Sequence, residues 1–589
     1  MMAVTSTDDQ VPTPGDDTCA FKQEDSEEPC PGHKADGFDH CLAHLEPAQL
    51  DQVLQRLGPG ADLDASGTAI DAVLLARILG ALRDEAGHPV FGRVSFAEAR
   101  FSDGPDFGGA QFSHDAYFGG AQFSGYAQFA GAQFSNEAYF WGAKFSDDAD
   151  FGGAQFSDDA YFDGAQFSHY ARFGGAQFSG YAQFAGAQFS EYGHFGGAQF
   201  SGSHFGGANF GGAHFAVEAS FAGARFRQTP WLGPLIAGHL DLTEAVFDSP
   251  IVIEAAAGRV SCPRTTWKAG VTFRLRYAAL DLERATLTQP SSFTTSDLPF
   301  YAGTSRLDES RVVELILNER ADAHEAQSGA FPAWMPSDIF PAWMPSLETM
   351  GGVDAANLSV TDVNLSRCRF AGALLLDQLR LEGFCVFDQP PRGIRAGRAW
   401  LPVWRWSRRQ SLAEERLWRA STAKRSGWSN PEGGEYPQAG PDRLAALYRQ
   451  LRKAQEDAKN EPGAADFYYG EMEMRRHAPS TPWAERLILA AYWAVSGYGL
   501  RATRAFIALA ILIAGSALVL RYAGFPGHTP AYLDSLFYAA GSVLSLSLVI
   551  GHLPVVLTHW GDVIRMLLRI AGPVLLGLAA LALRGRVKR

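Results

Sequence analysis

The apolar positions of this chain follow three different patterns. From Phe96 the phenylalanines recur at Phe101, Phe107, Phe112, Phe118, Phe123, Phe129, Phe134, Phe140, Phe145 and Phe151, then at Phe156, Phe162, Phe167, Phe173, Phe178, Phe184, Phe189, Phe195 and Phe200. The intervals alternate between five and six, which makes an eleven-residue unit. A small residue stands two places before nearly every Phe, as at Ala110, Ala116, Ala121, Ala127, Ala132 and Ala138. Neither a helix, with a period of about 3.6, nor a strand, with a period of about 2, produces this spacing. Large and small side chains pointing inward together, with polar residues between them, describe a solenoid of stacked coils. Further on, Leu444, Leu447, Tyr448, Leu451 and Ala454 keep helical spacing, and Phe467, Tyr468, Met472 and Arg475 predict a second helix beyond the Asn460–Gly463 break. The C-terminal region turns to long uncharged runs. Ala505–Leu520 lies between Arg504 and Arg521, and Ile570–Leu583 extends back to Met566 if Arg569 snorkels; both approach the ~20 residues of a bilayer span. Between them Ser535–Gly561 is apolar but broken by Gly541, Gly551 and Pro554.

The Ala-x-Phe core and its period resemble the pentapeptide-repeat proteins. That resemblance implies a mostly β solenoid, a right-handed, four-sided parallel β-helix with one unit per face. The alternating interval departs from a strict five and resembles a Phe-rich subclass in which Ser-x-x-Ala-x-Phe adds a residue at every second corner. Four faces then take two eleven-residue units, and Phe96–Phe226 makes about six coils, a rod about 30 Å long. The pattern fades but persists at Ala245-Val246-Phe247, Val271-Thr272-Phe273, Leu280-Asp281-Leu282 and Ala285-Thr286-Leu287. It returns at Ala356-Asn357-Leu358, Val363-Asn364-Leu365, Cys368-Arg369-Phe370 and Ala373-Leu374-Leu375, with Phe387 as the last inward residue.

These patterns divide the chain. An acidic Cys/His leader (1–50) precedes a short helical cap (51–90) and the β-helix (91–304). An insertion loop (305–352) carries the near-duplicates Phe331–Ser337 and Phe340–Ser346, read as packing on the rod, and a second β-helix segment (353–388) follows. Then come a basic Trp/Arg linker (389–430), a helical hairpin (436–480) and an interfacial helix (483–500). Spans at 504–525 and 565–584 flank a re-entrant or third hydrophobic segment at 532–560. The hairpin resembles the tetratricopeptide type, and the tail resembles the two-span pore module of potassium channels.

Composition locates the aromatics: 25 of the 41 Phe lie between Phe96 and Phe226, so the excess is core and carries no evidence of catalysis. With 47% hydrophobic and 19% charged residues the chain is not disordered. The net charge of -14 hides a division: residues 390–589 hold 27 Lys+Arg against 14 Asp+Glu, and the rest is strongly acidic. The basic half is expected to meet an anionic membrane surface. Arg501 and Arg504 before the first span, and Arg584, Arg586, Lys588 and Arg589 after the last, both prefer the cytoplasm and require an even number of crossings. Met1–Gln10 carries Asp8 and Asp9 and is no secretory signal. The expected location is a bacterial inner membrane, multi-pass, with the large N-terminal part cytoplasmic and homo-oligomers forming through the spans.

Candidate chemistry is concentrated at the N-terminus. Cys19, Cys30, Cys41 and His44 read C-x10-C-x10-C-x2-H, and thiolates with imidazole suit a structural zinc in a reducing compartment. The long gaps are no standard finger spacing, and His33 and His40 are alternative fourth ligands. His194 and His214 are read, from their separation, as stacking on one face. The ten Lys+Arg and five Trp of 390–430 are read as contacting lipid headgroups or the acidic rod in preference to nucleic acid. Ser496-Gly497-Tyr498-Gly499 has a channel-filter look but precedes the first span, and Ser547–Pro554, where a filter belongs, has no filter sequence. No enzyme motif stands out, since the glycines sit at repeat corners and Gly202-Ser203 lacks nucleophile-elbow context. The reading is a membrane-anchored interaction scaffold without catalytic activity, whose protein partner the sequence does not name. The alternatives are a degenerate two-span channel-like subunit, or an acidic DNA mimic that binds a topoisomerase, as some pentapeptide-repeat proteins do.

Overall fold

The structure is a computed structural model that describes residues 17–22, 30–202, 207–314, 343–391, 393–396, 402–405, 409–422, 428, 439–527, 529–543 and 556–587. The motif Phe331–Ser337, most of the basic linker, and Ser547–Pro554 therefore fall outside the described residues. The chain divides into two compact units, residues 1–375 with 379–387, and residues 376–378 with 388–589.

The first unit is a parallel β-solenoid of about 12 turns. Two-residue strands stack in register one coil apart, each coil being two eleven-residue units. Gln111-Phe112 lies on Gln133-Phe134, Ala116-Tyr117 on Ala138-Tyr139, Gln122-Phe123 on Lys144-Phe145, and Ala127-Gln128 on Ala149-Asp150. These four stacks are the four faces. Every described inward Phe from Phe96 to Phe226 is at most 1% exposed, and nearly all the Ala residues two places before them are as deeply buried. Rings from successive coils lie face to face, as Phe118, Phe140 and Phe162 do at 4.8 and 4.9 Å. Within a coil they meet edge to face, as Phe129 and Phe140 do at 5.4 Å. The expected core set Phe112, Phe118, Phe123, Phe129, Phe134, Phe140, Phe145, Phe151, Phe156, Phe162, Phe167, Phe173, Phe178, Phe184 and Phe189 lines this interior throughout.

The five-residue corner explains the paired glycines. In Phe118-Gly119-Gly120-Ala121 the Ala121 N–H donates to the Phe118 carbonyl at 3.1 Å, and Gly120 sits at φ +68°. A third turn position in the left-handed region favours glycine. After Phe226 the coil shortens, as the register partners Val246–Thr266 and Thr266–Thr286 show. Faces run together into the eleven-residue strands Trp231–Asp241 and Ile251–Ser261. One left-handed corner per coil survives, now carried by Glu244, Arg264 and Arg284 at φ +56° to +59°.

Three boundaries shift. The solenoid begins within the stretch read as a helical cap, because Ala61–Asp64 pairs with Val90–Ser95 and Ala69-Ile70 pairs with Arg100-Phe101. Helices α1 (Pro47–Arg56) and α2 (Ala72–Ala81) flank these strands; Asp71 caps α2, which buries Leu74, Leu75, Ile78 and Leu79. The rod resumes at Ser346, within the span assigned to the insertion, since Ser346–Thr349 pairs with Ala279–Asp281. At the insertion's edges, Trp343 accepts a backbone hydrogen bond from Tyr277 and packs over Arg276, which also makes a buried 3.1 Å pair with Glu309. The third shift is in the hairpin: Asn460-Glu461-Pro462-Gly463 starts its second helix, with Asn460 as the cap.

The second unit is helical: α3 (Ala413–Thr422), α4 (Pro441–Asp457), α5 (Glu461–His477), α6 (Trp483–Ser496), α7 (Ala502–Val519, prolonged to Gly524), α8 (Tyr532–Val543) and α9 (His559–Val587). Helices α4 and α5 form the antiparallel hairpin, closed by Leu444, Tyr448, Leu451 and Phe467.

Candidate functional site

The widely spaced residues Cys19, Cys30, Cys41 and His44 converge, and their ligand atoms all lie within 4.8 Å of one another. Local structure explains why. Cys41 immediately precedes the single turn Leu42–His44, whose spacing points Cys41 Sγ and His44 Nδ1 the same way, 3.3 Å apart. The segment before it folds back, with Cys19 N–H donating to Gly32 and Cys30 N–H donating to Phe21. That places Cys19 Sγ 3.6 Å from His44 Nδ1 and Cys30 Sγ 3.9 Å from Cys41 Sγ. The Cys41 N–H donates to Cys19 Sγ at 3.2 Å and the Gly32 N–H to Cys30 Sγ at 3.4 Å. Phe21 stacks on the His44 ring at 3.9 Å. Cys19 and Cys41 are buried, while Cys30 and His44 are half-buried. Burial pushes the Cys41 thiol up to about 12, pushes the Cys30 thiol up and pushes the His44 imidazole down, so these three groups resist taking their charged forms.

The alternative ligand His33 lies elsewhere: its Nδ1 is 3.0 Å from Asp64 Oδ2, on an exposed edge. His194 and His214 do not stack. The coil around them is longer than their separation, which puts them on different strands. His194 pairs in register with Arg172 and Ser220, and His214 with Gln188 and Ile236.

Sequence reasoning missed a buried polar core in the helical unit. Arg409 binds both oxygens of Glu415 at 2.6 and 2.7 Å, Arg419 reaches the same carboxylate at 2.6 Å, and the Tyr448 hydroxyl donates to it. That hydroxyl accepts from the Leu412 N–H at 3.1 Å and from Arg409 at 3.3 Å. Burial alone would raise the Glu415 carboxyl, but Arg409 and Arg419 outweigh it and hold the group at about 2. Arg416 pairs with Asp388 in the same unit. The expectation that the linker's cations face lipid or the rod is corrected for Arg409, Arg416 and Arg419, since their partners are carboxylates of their own unit. Trp418 and Trp428 share in this, because Arg419 lies 5.5 Å from both rings. Tyr448 gives only a helical-spacing signal, and its polar end gives none. A cavity of about 310 Å³ lined by Asp442, Arg449, Arg475, Ser480, Thr481 and Glu485 carries charges already paired, Arg475 to Glu485 and Arg449 to Glu471.

Two of the described helices are long and apolar enough to cross a membrane: Ala502–Gly524 and His559–Leu583, each with mean hydropathy 2.1 and only 22% buried. They expose Phe506, Ile507, Ile511, Met566, Ile570 and Val574, which the core helices of a soluble protein would cover. Helix α8 packs against both through Ala517, Leu520, Ala539, Val543 and Leu568. Small residues allow this closeness: a Cβ on Gly572 would stand 2.6 Å from Val543. Helix α6 turns Trp483, Leu487 and Ile488 outward while Leu489 packs with Tyr469, Met472 and Tyr498. Ser496–Gly499 forms its C-terminal turn, with Gly497, Tyr498 and Gly499 all left-handed and the Tyr498 hydroxyl 3.1 Å from Glu473.

A family model described as pentapeptide repeats (9 copies) matches residues 87–133, 118–165, 129–177 and 140–188. That stretch of the rod is thus built of pentapeptide repeats. No curated protein and no solved structure matches the chain.

Proposed function

We propose that the chain is a membrane-anchored, non-catalytic interaction scaffold, with the solenoid as its platform and the two apolar helices as its anchor. The observation that carries the reading is the filled interior. Phe and Ala stacks occupy the coils, so the rod presents its chemistry only on its outer faces. There the in-register geometry turns single residues into ladders: Tyr117, Tyr139 and Tyr161 stack at 4.8 and 5.1 Å, with Asp115, Glu137 and Asp159 each accepting from the neighbouring tyrosine hydroxyl. Rows of aromatic and acidic groups at this repeat suit an extended protein partner read over several coils. The positive ends of the two spans favour a cytoplasmic rod.

The packing of α8 between the spans favours a second reading, a two-span channel-like subunit. The DNA-mimic reading has no such packing observation behind it, and one of the outward acids, Asp148, is already paired with Arg172.

Alkaline extraction of membranes tests the anchor: the full-length protein stays with the lipid, and release into the supernatant refutes it. Proximity labelling from the rod is expected to return a reproducible partner set that disappears when Tyr117, Tyr139 and Tyr161 are replaced by Ser. Cation-selective current in planar bilayers would replace the scaffold reading by the channel one.

A further inference from the structure

We propose that Cys19, Cys30, Cys41 and His44 hold one Zn²⁺ ion, and that this ion locks the N-terminal segment over the first coil of the solenoid. The ligand chemistry is a Cys3His set, one of the combinations found in structural zinc sites. The geometry fits it closely. Tetrahedral zinc, with Zn–S about 2.3 Å and Zn–N about 2.0 Å, separates its sulfurs by about 3.8 Å and sulfur from nitrogen by about 3.5 Å. The corresponding distances here are 3.9 Å for Cys30–Cys41, 3.6 Å for Cys19–His44 and 3.3 Å for Cys41–His44. The widest pair stands at no more than 4.8 Å, so closing the cage asks for a contraction of about 1 Å. Three thiols give up their protons to bind the dication, leaving one net negative charge. The backbone donors already aimed at sulfur, Cys41 N–H on Cys19 and Gly32 N–H on Cys30, offset that charge.

What the ion would hold is visible in the contacts around it. The loop Cys30–His33 lies on the first coil: His33 N–H donates to the Ser66 carbonyl at 2.8 Å, while Ala65 and Gly67 donate to Ser95 and Ala97 of the next coil. The fit tolerates no side chain. A Cβ on Gly67 would stand 2.2 Å from the Pro31 carbonyl oxygen, and one on Gly32 would stand 2.8 Å from Cys41 Cβ. The first coil of a parallel solenoid has an outer edge that no earlier coil pairs, and such edges need a cover. Among the described residues from Cys19 to His44 there is one short helical turn and little core, so a metal is the economical way to fix them there. The proposal does not depend on membrane anchoring or on any partner of the rod.

The test uses the full-length protein, purified in detergent without chelator. Elemental analysis is expected to find about one zinc per chain. Replacement by Co²⁺ is expected to give the thiolate charge-transfer absorption and intense visible bands of a tetrahedral site. The half-exposed Cys30→Ser should lose the ion, Cys30→His should keep it, and Cys385→Ser, away from the cluster, should keep it. Metal removal should accelerate amide exchange at 61–70 at least tenfold and leave 138–162 unchanged. Less than a tenth of an equivalent of metal (about 0.1), undiminished zinc in Cys30→Ser, or unchanged exchange at 61–70 after metal removal overturns the proposal. So does a Cys30–Cys41 disulfide in protein isolated under native conditions.

Discussion

Replacing Phe140 by Ala probes what holds the rod together. The ring is fully buried, stacked on Phe118 at 4.8 Å and on Phe162 at 4.9 Å, and meets the edges or faces of Phe129, Phe134 and Phe151 at 5.4, 5.9 and 5.3 Å. Burying such a side chain contributes up to about 3 kcal/mol, and each well-placed ring pair adds roughly 0.5–1.5 kcal/mol. The coils cannot collapse onto the void, because their spacing is fixed by the backbone ladder, in which Phe140 N–H donates to Tyr161 at 2.7 Å. A loss of about 4 kcal/mol is therefore expected, inside the range of buried Phe→Ala substitutions. The assay is amide hydrogen exchange on the full-length protein in detergent. In a solenoid each coil touches only its neighbours, so Phe118–Phe162 should exchange about 10³-fold faster, with the effect fading along the rod. Amides of α4 and α5, in the other compact unit, serve as the internal control. Phe140→Leu, which refills most of the space, should cost about 1.5 kcal/mol. Acceleration below about tenfold for Phe140→Ala would refute the claim that stacked rings carry the coupling between coils.

Two glycines separate backbone strain from packing. Gly131→Ala has open space for its Cβ and should lose about 1 kcal/mol from the left-handed φ of +66° alone, whereas at Gly193 the new Cβ meets the Phe215 ring at 2.5 Å and should cost about 2–3 kcal/mol, both read by thermal unfolding. The helical unit should be acid-sensitive: Glu415 is depressed from 4.5 to about 2, so its contribution is complete above pH 4.5 and is lost as pH falls towards 2. Tryptophan fluorescence of thermal unfolding should show that loss in the native chain and a flatter profile in Glu415→Gln. Tyr448→Phe removes the hydroxyl that serves Glu415, Arg409 and the Leu412 N–H, and should destabilise the same transition by about 1–3 kcal/mol; an unchanged midpoint would show that water replaces it.

The rod is legible in the sequence because its interior is a one-dimensional repeat. Every inward position from Phe112 to Phe189 can be named from spacing alone, since a parallel stack places identical residues above one another. The same logic explains where legibility ends. The separation of His194 and His214 suits a coil of strict five-residue faces, but the coil around them holds more residues, and the register partner of His194 is Ser220. The cap boundary is hidden for a different reason. Ala61–Asp64 and Ala69-Ile70 contribute strands too short to show a period, and α2 follows them at once with a stronger helical signal. In the helical unit, Arg409 and Glu415 come from one stretch and Tyr448 from another, and nothing in their neighbours marks them as partners. Charge that looks like excess surface charge is instead consumed inside.

The change of coil length after Phe226 shows how tertiary structure can outlast its sequence signature. The left-handed corner that glycine serves in the Phe-rich coils persists at Glu244, Arg264 and Arg284, each with the same backbone closure: Ala245, Thr265 and Ala285 donate to the residue three before. Each such corner costs a side-chain-bearing residue about 1 kcal/mol relative to glycine. What offsets the cost is the longer ladder leading into these corners, where Trp231–Asp241 and Ile251–Ser261 pair along most of their length instead of in two-residue steps. The aromatic stack thins as this ladder grows, from Phe226 on Phe247 at 4.8 Å to Phe247 on Trp267 at 5.9 Å. Backbone pairing thus takes over part of the work of ring stacking, which is why the phenylalanine pattern fades while the solenoid continues. If so, Glu244→Gly should stabilise the rod, whereas Ala255→Pro, which breaks the long ladder, should unravel the coils around it; amide exchange at 246–287 reads both, and a neutral Ala255→Pro would end the argument.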